Sequence, residues 1–154
     1  MPLSARFEGE AVLRLNPYLS FRAQAREAME FYQSVFGGEL TISTFEGFDD
    51  MDIAPDEQQL VMHAHLTTPE GLVLMGSDTP STMPYESPKG ISVSFSGDDG
   101  RRLDDVWAKL SADGTVTLPY ETPPWGGKFG MVTDRFGIDW MVAADAGVGP
   151  DRTL

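Results

Sequence analysis

The chain has 154 residues, a length that suits one domain with a sizeable core. Hydrophobic residues make up 41% and aromatics 10%, a globular composition, and the absence of cysteine excludes disulfides, thiolate metal sites and cysteine nucleophiles. The formal net charge of −13 repels nucleic acid and anionic lipid, keeps a surface soluble, and favours a cationic ligand wherever it lines a pocket. The start, MPLSARFEGE, lacks the apolar core of a signal peptide, and no stretch is apolar for long enough to span a membrane, so the expectation is a cytoplasmic protein. The end, AGVGPDRTL, reads as a loose tail.

In chain order, AVLRLNPYLSF (11–21) alternates as a strand does, with Pro17 at an edge or bulge. RAQAREAMEFYQSVFGG then places Ala25, Ala28, Met29, Tyr32 and Phe36 at helical spacing, and Gly37 and Gly38 supply a stop. ELTISTFEGF (39–48) is a strand by its Thr, Ile and Phe content. The acidic segment DDMDIAPDEQQ (49–59) reads as a loop; it lacks EF-hand spacing. LVMHAHLTT and LVLMGSD are two strands around a tight PEG turn, followed by a Pro-, Ser- and Thr-rich segment, TPSTMPYESPKG. ISVSFSG is a further strand. DDGRRLDDVWAKLSADG is a helix with Leu103, Val106, Trp107 and Leu110 on one face, capped by Asp98 or Asp99 and ending before Gly114. TVTLPYE, KFGMVTD and IDWMVAA close the chain as strands, and Asp134–Gly137 forms the last hairpin turn, with Asp bonding the turn backbone and Gly accepting positive φ.

Each half therefore reads strand, helix, three strands, an α+β arrangement with two sheets. The whole of 1–154 is taken as a single domain: module one at about 11–79, a linker at about 80–89, and module two at about 90–145. Local texture repeats too: LSF at Leu19–Phe21 matches VSF at Val93–Phe95, and VLMGSD matches WMVAAD.

These features resemble the vicinal oxygen chelate superfamily, which includes glyoxalase I, extradiol dioxygenases and the fosfomycin- and bleomycin-resistance proteins, and within it the PhnB-like branch. The pieces that carry the resemblance are NPYLSF (16–21), AMEFYQSVFGGEL (28–40), HAHL (63–66), LMGSD (74–78) and, most specific, WGGKFGMVTDRFGIDWMV (125–142). Together they span nearly the whole chain, from Leu13 to Ala144. The resemblance implies a glyoxalase/bleomycin resistance-like fold, two β-α-β-β-β modules forming curved sheets around a cleft that holds a small ligand, and a homodimer. Some relatives carry a demethylubiquinone methyltransferase label, but the chain has no glycine-rich strand-to-helix turn of the kind that binds a nucleotide-like cofactor.

Many members of the superfamily hold a divalent metal through His, Glu or Gln on the first and last strand of each module. Carried over position by position, that quartet falls near Asn16; at Gly76, Ser77 or Asp78; at Gly90 or Ser92; and at Trp140 or Met141. Only Asp78 is an ordinary ligand type, and Gly, Trp and Met do not replace hard-metal ligands, so no metal cofactor is expected from the quartet. His63 and His65 are the only histidines, and their spacing puts both on one strand face. On an inward face they can bind metal or move protons; on an outward face they are solvated or serve a subunit contact. Two imidazoles need a carboxylate such as Asp78 or Glu121 to complete an atypical divalent metal site. Strict alternation groups Val61 with His63 and His65, and Met62 with Ala64 and Leu66, which makes Met62 a core or cleft residue.

GGK at Gly126–Lys128 lacks P-loop spacing, and DRFG is not a kinase metal motif because Arg135 interrupts it. The aromatics Tyr18, Phe45, Trp125, Phe129, Phe136 and Trp140 divide between core packing and cleft lining. Trp125 stands out because it occupies a Pro- and Gly-rich turn, and Trp140 fills the space of a family metal ligand. The preferred expectation is a small-molecule-binding protein without the metal quartet, its ligand held by Tyr18, Phe45, Trp125, Phe129 and Trp140. The alternative is a metal-dependent lyase, isomerase or dioxygenase built on His63, His65, Asp78 or Glu121. A purely structural or regulatory dimer with a closed, fully packed cleft is the third possibility. No nucleic-acid or membrane partner is expected.

Overall fold

The computed structural model describes residues 11–48 and 52–146. The N-terminal stretch, the start of the acidic loop (49–51) and the tail beyond Ala146 lie outside the described residues. The chain divides into two compact units after Pro84. The first comprises β1 (Tyr18–Phe21), α1 (Ala25–Phe36), β2 (Glu39–Thr44), a 3-10 turn (Pro55–Glu57), β3 (Val61–Thr67) and β4 (Val73–Asp78). The second comprises β5 (Ser92–Gly97), α2 (Gly100–Ser111), β6 (Thr115–Glu121), β7 (Lys128–Thr133) and β8 (Asp139–Ala144). The two sheets have the orders β1-β4-β3-β2 and β5-β8-β7-β6, so the chain is α+β with two β-α-β-β-β units. In each unit the first strand runs parallel to the last, while the remaining pairs are antiparallel.

Helix α1 forms where apolar residues recur at three- and four-residue spacing, and Ala25, Ala28, Met29, Tyr32, Val35 and Phe36 are all buried. It covers the face of its sheet carrying Leu19, Phe21, Ala64, Leu66 and Leu74, each also buried. Enclosing each leucine or phenylalanine contributes about 1.5–3 kcal/mol, so this face is a large source of the unit's stability. No side chain from Gln24 caps the helix. Asp78, at the far end of β4, supplies the missing acceptor instead: Oδ1 takes Ala25 N–H at 2.9 Å and Oδ2 takes Val61 N–H at 2.9 Å. Helix α2 is capped locally, Asp99 accepting from Arg102 N–H, and buries Leu103, Val106 and Leu110. Trp107 is only half-buried; it stacks on Tyr120 at 5.2 Å, and its ring lies over Gly130, where a Cβ would meet it at 2.9 Å.

The two units repeat in detail. Thr68 and Asp134 open equivalent hairpins, each donating its backbone N–H to the carbonyl of the residue four positions on and accepting that residue's N–H with a side-chain oxygen, and Gly71 and Gly137 take φ of 88° and 87°. Counted from those hairpins, Leu19 corresponds to Phe95 rather than to Val93, and Val73 to Asp139 rather than to Trp140. The repeated words in the sequence are therefore displaced from the structural repeat by two residues and by one.

Two strand expectations change. The first strand begins only at Tyr18, because Pro17 has no N–H to donate and its carbonyl instead takes Met75 N–H. On β3 the alternation breaks at a bulge opposite Ser43 and Thr44, so Val61 is buried with Ala64 and Leu66, while Met62 is half-buried with His63 and His65. Pro119 is tolerated because β6 is an edge strand, and the register shifts on either side of Leu118.

Tyr120 gives a direct test of packing in the second unit. Its hydroxyl is buried without a hydrogen-bond partner among the described residues, and burial, reinforced by the Asp104 charge, raises its ionisation above the ordinary 10.0. The neutral phenol is thus favoured in the folded state; the associated stability is complete below pH 10 and is lost as pH rises through the folded value. Tyr120→Phe removes an unsatisfied hydroxyl and should be neutral or stabilising by up to about 1 kcal/mol near pH 7. It should also flatten the alkaline fall in melting temperature above pH 10; an unchanged alkaline limb would show that Tyr120 does not cause it.

Candidate functional site

Because α1 covers one face of the first sheet, the helix leaves the other face free. The register puts Tyr18, Met75, His65 and Thr41 in one row across all four strands of this open face. The neighbouring row carries the pairs Ser20–Ser77 and His63–Ser43. Tyr18 reaches over β4, and its hydroxyl lies 3.1 Å from His63 Nδ1, with ring centroids 5.7 Å apart. Either the phenol donates to a bare Nδ1, or a protonated Nδ1 donates to the phenol oxygen. The His63 and His65 rings stand 6.1 Å apart and are inclined by 57°. Both histidines are half-buried, and Tyr18 is 47% exposed. The face is thus rich in hydroxyl and imidazole groups, with the Glu39 carboxylate at its rim in the row of Thr67 and Val73.

The residues singled out from sequence fall into distinct places. Tyr18, His63 and His65 are brought together. Asp78 is not with them: it is 4% exposed on the face beneath α1, with both oxygens taken by backbone N–H groups. Phe45 is 4% exposed, just past the end of β2, packed rather than open. The quartet positions split by strand alternation, Ser77 and Met141 pointing away from the helices and Gly76, Asp78 and Trp140 towards them. Among the described residues no three His, Asp or Glu side chains are grouped so as to hold a metal ion.

In the second unit, the positions equivalent to His63, His65 and Met75 are Phe129, Met131 and Met141. Register places Phe129 opposite Ala143 on one side and Glu121 on the other, and Met131 opposite Met141. The middle of this open face is therefore apolar where that of the first carries imidazoles, with Ser94, Ser96 and Glu121 on the strands beside it. Trp140 lies on the opposite side, 2% exposed, and its indole N–H donates to Asp134 Oδ2 at 2.9 Å. Trp125 is 78% exposed in the β6–β7 turn, which is closed by a bond from Gly126 N–H to the Pro123 carbonyl. Phe136 lies in the β7–β8 hairpin under the Arg135 guanidinium. Of the serines and methionines of these faces, Ser77 and Met141 were reached only as quartet positions, and Ser20, Ser43, Met75 and Met131 were not singled out from the sequence. Their signal is the register of β1 on β4 and of β7 on β8, which the sequence does not display.

This pair of β-α-β-β-β units is the fold of the glyoxalase/bleomycin-resistance proteins. The family described as 3-demethylubiquinone-9 3-methyltransferase matches residues 14–143, and the chain belongs to that family, the PhnB-like branch of the vicinal oxygen chelate superfamily. It is similar to the solved protein PA1353 of Pseudomonas aeruginosa, with 35% identity, a TM-score of 0.74, and coverage of 86% of this chain and 98% of that one. It is also similar to a PhnB protein from Bacillus cereus, with 27% identity, a TM-score of 0.68, and 86% and 99% coverage. The Escherichia coli K12 protein YjdN is 28% identical over 139 residues, covering 83% of this chain and 92% of YjdN. No helix among the described residues is long and apolar enough to cross a membrane.

Proposed function

We propose that the protein binds a small organic molecule on the open face of its first sheet. The observation that carries this is the Tyr18–His63 hydrogen bond at 3.1 Å, which holds a phenol and an imidazole in fixed relation on a face that the helix does not need for packing. Around it, Ser20, Ser43, Ser77 and His65 supply further donors and acceptors, the sparse polar lettering that orients a ligand. The net charge of −13 favours a neutral or cationic compound over an anion. Phe129, Met131 and Met141 give the second unit an apolar strip of its own, of the kind that planar ligands contact. In this account Tyr18 touches the ligand on the first sheet, Phe129 and Trp125 are contact residues on the second unit's own surface, and Phe45 and Trp140 serve packing.

Methyl transfer is left out, because neither strand-to-helix connection carries a Gly-x-Gly-x-x-Gly pattern. On the family resemblance we also take the protein to act in the cytoplasm as a homodimer, which sedimentation of the purified chain tests. Calorimetry against cationic drugs and aromatic metabolites should find at least one ligand. Tyr18→Phe should weaken it about threefold to tenfold, the worth of one hydrogen bond. Failure of every compound in a broad library to bind would sink the proposal.

A further inference from the structure

We propose that His63 and His65 form a two-imidazole site for a borderline divalent transition cation, Zn2+, Ni2+ or Cu2+. The site shares a face with the ligand reading above but needs no organic ligand. It is distinct from the quartet of first- and last-strand positions, since both histidines lie on β3.

Geometry supports it first. Residues two apart on a strand project from the same face, and the two rings stand 6.1 Å apart. Metal–nitrogen bonds of about 2.0–2.1 Å bring two rings on one ion to centroid separations of roughly 5 Å, so small side-chain rotations close the pair. Hydrogen bonding supports it second. A metal-bound histidine characteristically gives its other ring nitrogen to an outer partner, which fixes tautomer and orientation. Tyr18 Oη already occupies that role at His63 Nδ1, leaving Nε2 for the ion. The His65 ring makes no hydrogen bond among the described residues, and its nitrogens are not among the buried atoms lacking a partner, so they are open to solvent.

Donor chemistry fixes the class of ion. Imidazole nitrogen suits Zn2+, Ni2+ and Cu2+, whereas Mg2+ and Ca2+ require oxygen cages. The nearby Ser20, Ser43 and Ser77 hydroxyls are weak donors, and the carboxylate of Asp78 is committed beneath α1. Two protein ligands leave the remaining coordination positions to water or to an incoming molecule.

Metal-stripped full-length protein, titrated calorimetrically at physiological ionic strength, should take up one equivalent of Zn2+, Ni2+ or Cu2+ and show no comparable uptake of Mg2+. His63→Gln and His65→Gln should each weaken binding at least tenfold with an unchanged melting temperature in the absence of metal. Tyr18→Phe, which keeps both imidazoles, should weaken it about tenfold, as loss of an outer-shell partner does. Equal uptake of Mg2+, or uptake unaffected by either histidine substitution, would assign the cation to the acidic surface and overturn the site. So would the absence of stoichiometric binding. Because the probe is the metal alone, a negative organic-ligand screen leaves this result standing, and the reverse also holds.

Discussion

Asp134→Ala is expected to destabilise the protein by about 3–5 kcal/mol, because it orphans several buried donors at once. Oδ1 accepts Phe136 N–H at 2.8 Å and Ile138 N–H at 3.0 Å, while Oδ2 accepts the Trp140 indole N–H at 2.9 Å. Asp134 is 4% exposed and Trp140 2%, so water does not readily replace the lost acceptor. Each buried donor left unpaired costs about 1–3 kcal/mol, a large share of the 5–15 kcal/mol that holds a typical domain. Asp134→Asn keeps one carbonyl oxygen and turns an amide NH2 toward a donor, so its loss should be about half as large. Trp140→Phe removes the indole donor together with part of a buried ring, leaving Asp134 Oδ2 unpaired, and should cost about 2–4 kcal/mol. Chemical denaturation with tryptophan fluorescence measures all three; equal midpoints for Asp134→Ala and the native protein would refute the assignment.

The second large effect falls on Asp78. Its carboxylate joins the first turn of α1, through Ala25, to the first residue of β3, through Val61. The helix N-terminus also carries the positive end of the backbone dipole, which a carboxylate complements. Asp78→Ala should therefore cost about 3–4 kcal/mol, combining a lost cap with a buried N–H left unpaired on the strand. Asp78→Asn should cost at least 1 kcal/mol, since its amide nitrogen faces one of the two donors. Hydrogen exchange gives the residue-level check: the Ala25 and Val61 amides should lose protection together, while Arg102 N–H, bonded to Asp99, should keep its own. Protection lost at Ala25 but retained at Val61 would contradict a single carboxylate serving both.

Much of the fold was legible because its signals are local. The spacing of Ala25, Ala28, Met29 and Tyr32, the Asp99 cap and the Asp134–Gly137 turn each act within a few residues. The site was legible only in pieces. Tyr18 and His63 could each be named, but the sequence separates them by 45 positions and only the placement of β4 between β1 and β3 lets them meet. Asp78 was noticed as a carboxylate of metal-ligand type; its bonds to backbone donors 53 and 17 positions away are invisible to any local rule. Trp140 is different: Ile138, Trp140 and Val142 alternate and are all buried, so the pattern was available, and family position drew attention elsewhere. The doubled words LSF/VSF and VLMGSD/WMVAAD led to a repeat with the right order and the wrong register, because similar residues recur at neighbouring positions of a strand.

The strand order β1-β4-β3-β2, and its counterpart β5-β8-β7-β6, has a consequence for assembly. The strand synthesised last in each unit is an inner strand and, among the described residues, the only sheet neighbour of the strand synthesised first. A growing chain can zip β2 to β3, or β6 to β7, as hairpins, but β1 and β5 wait without a partner until β4 and β8 emerge. Completion is therefore a single late insertion rather than gradual accretion, and it depends on a contact far apart in sequence, the kind that slows folding. Shortening either unit at its C-terminal strand removes the middle of a sheet and strands its first strand, so each unit should behave as all or nothing.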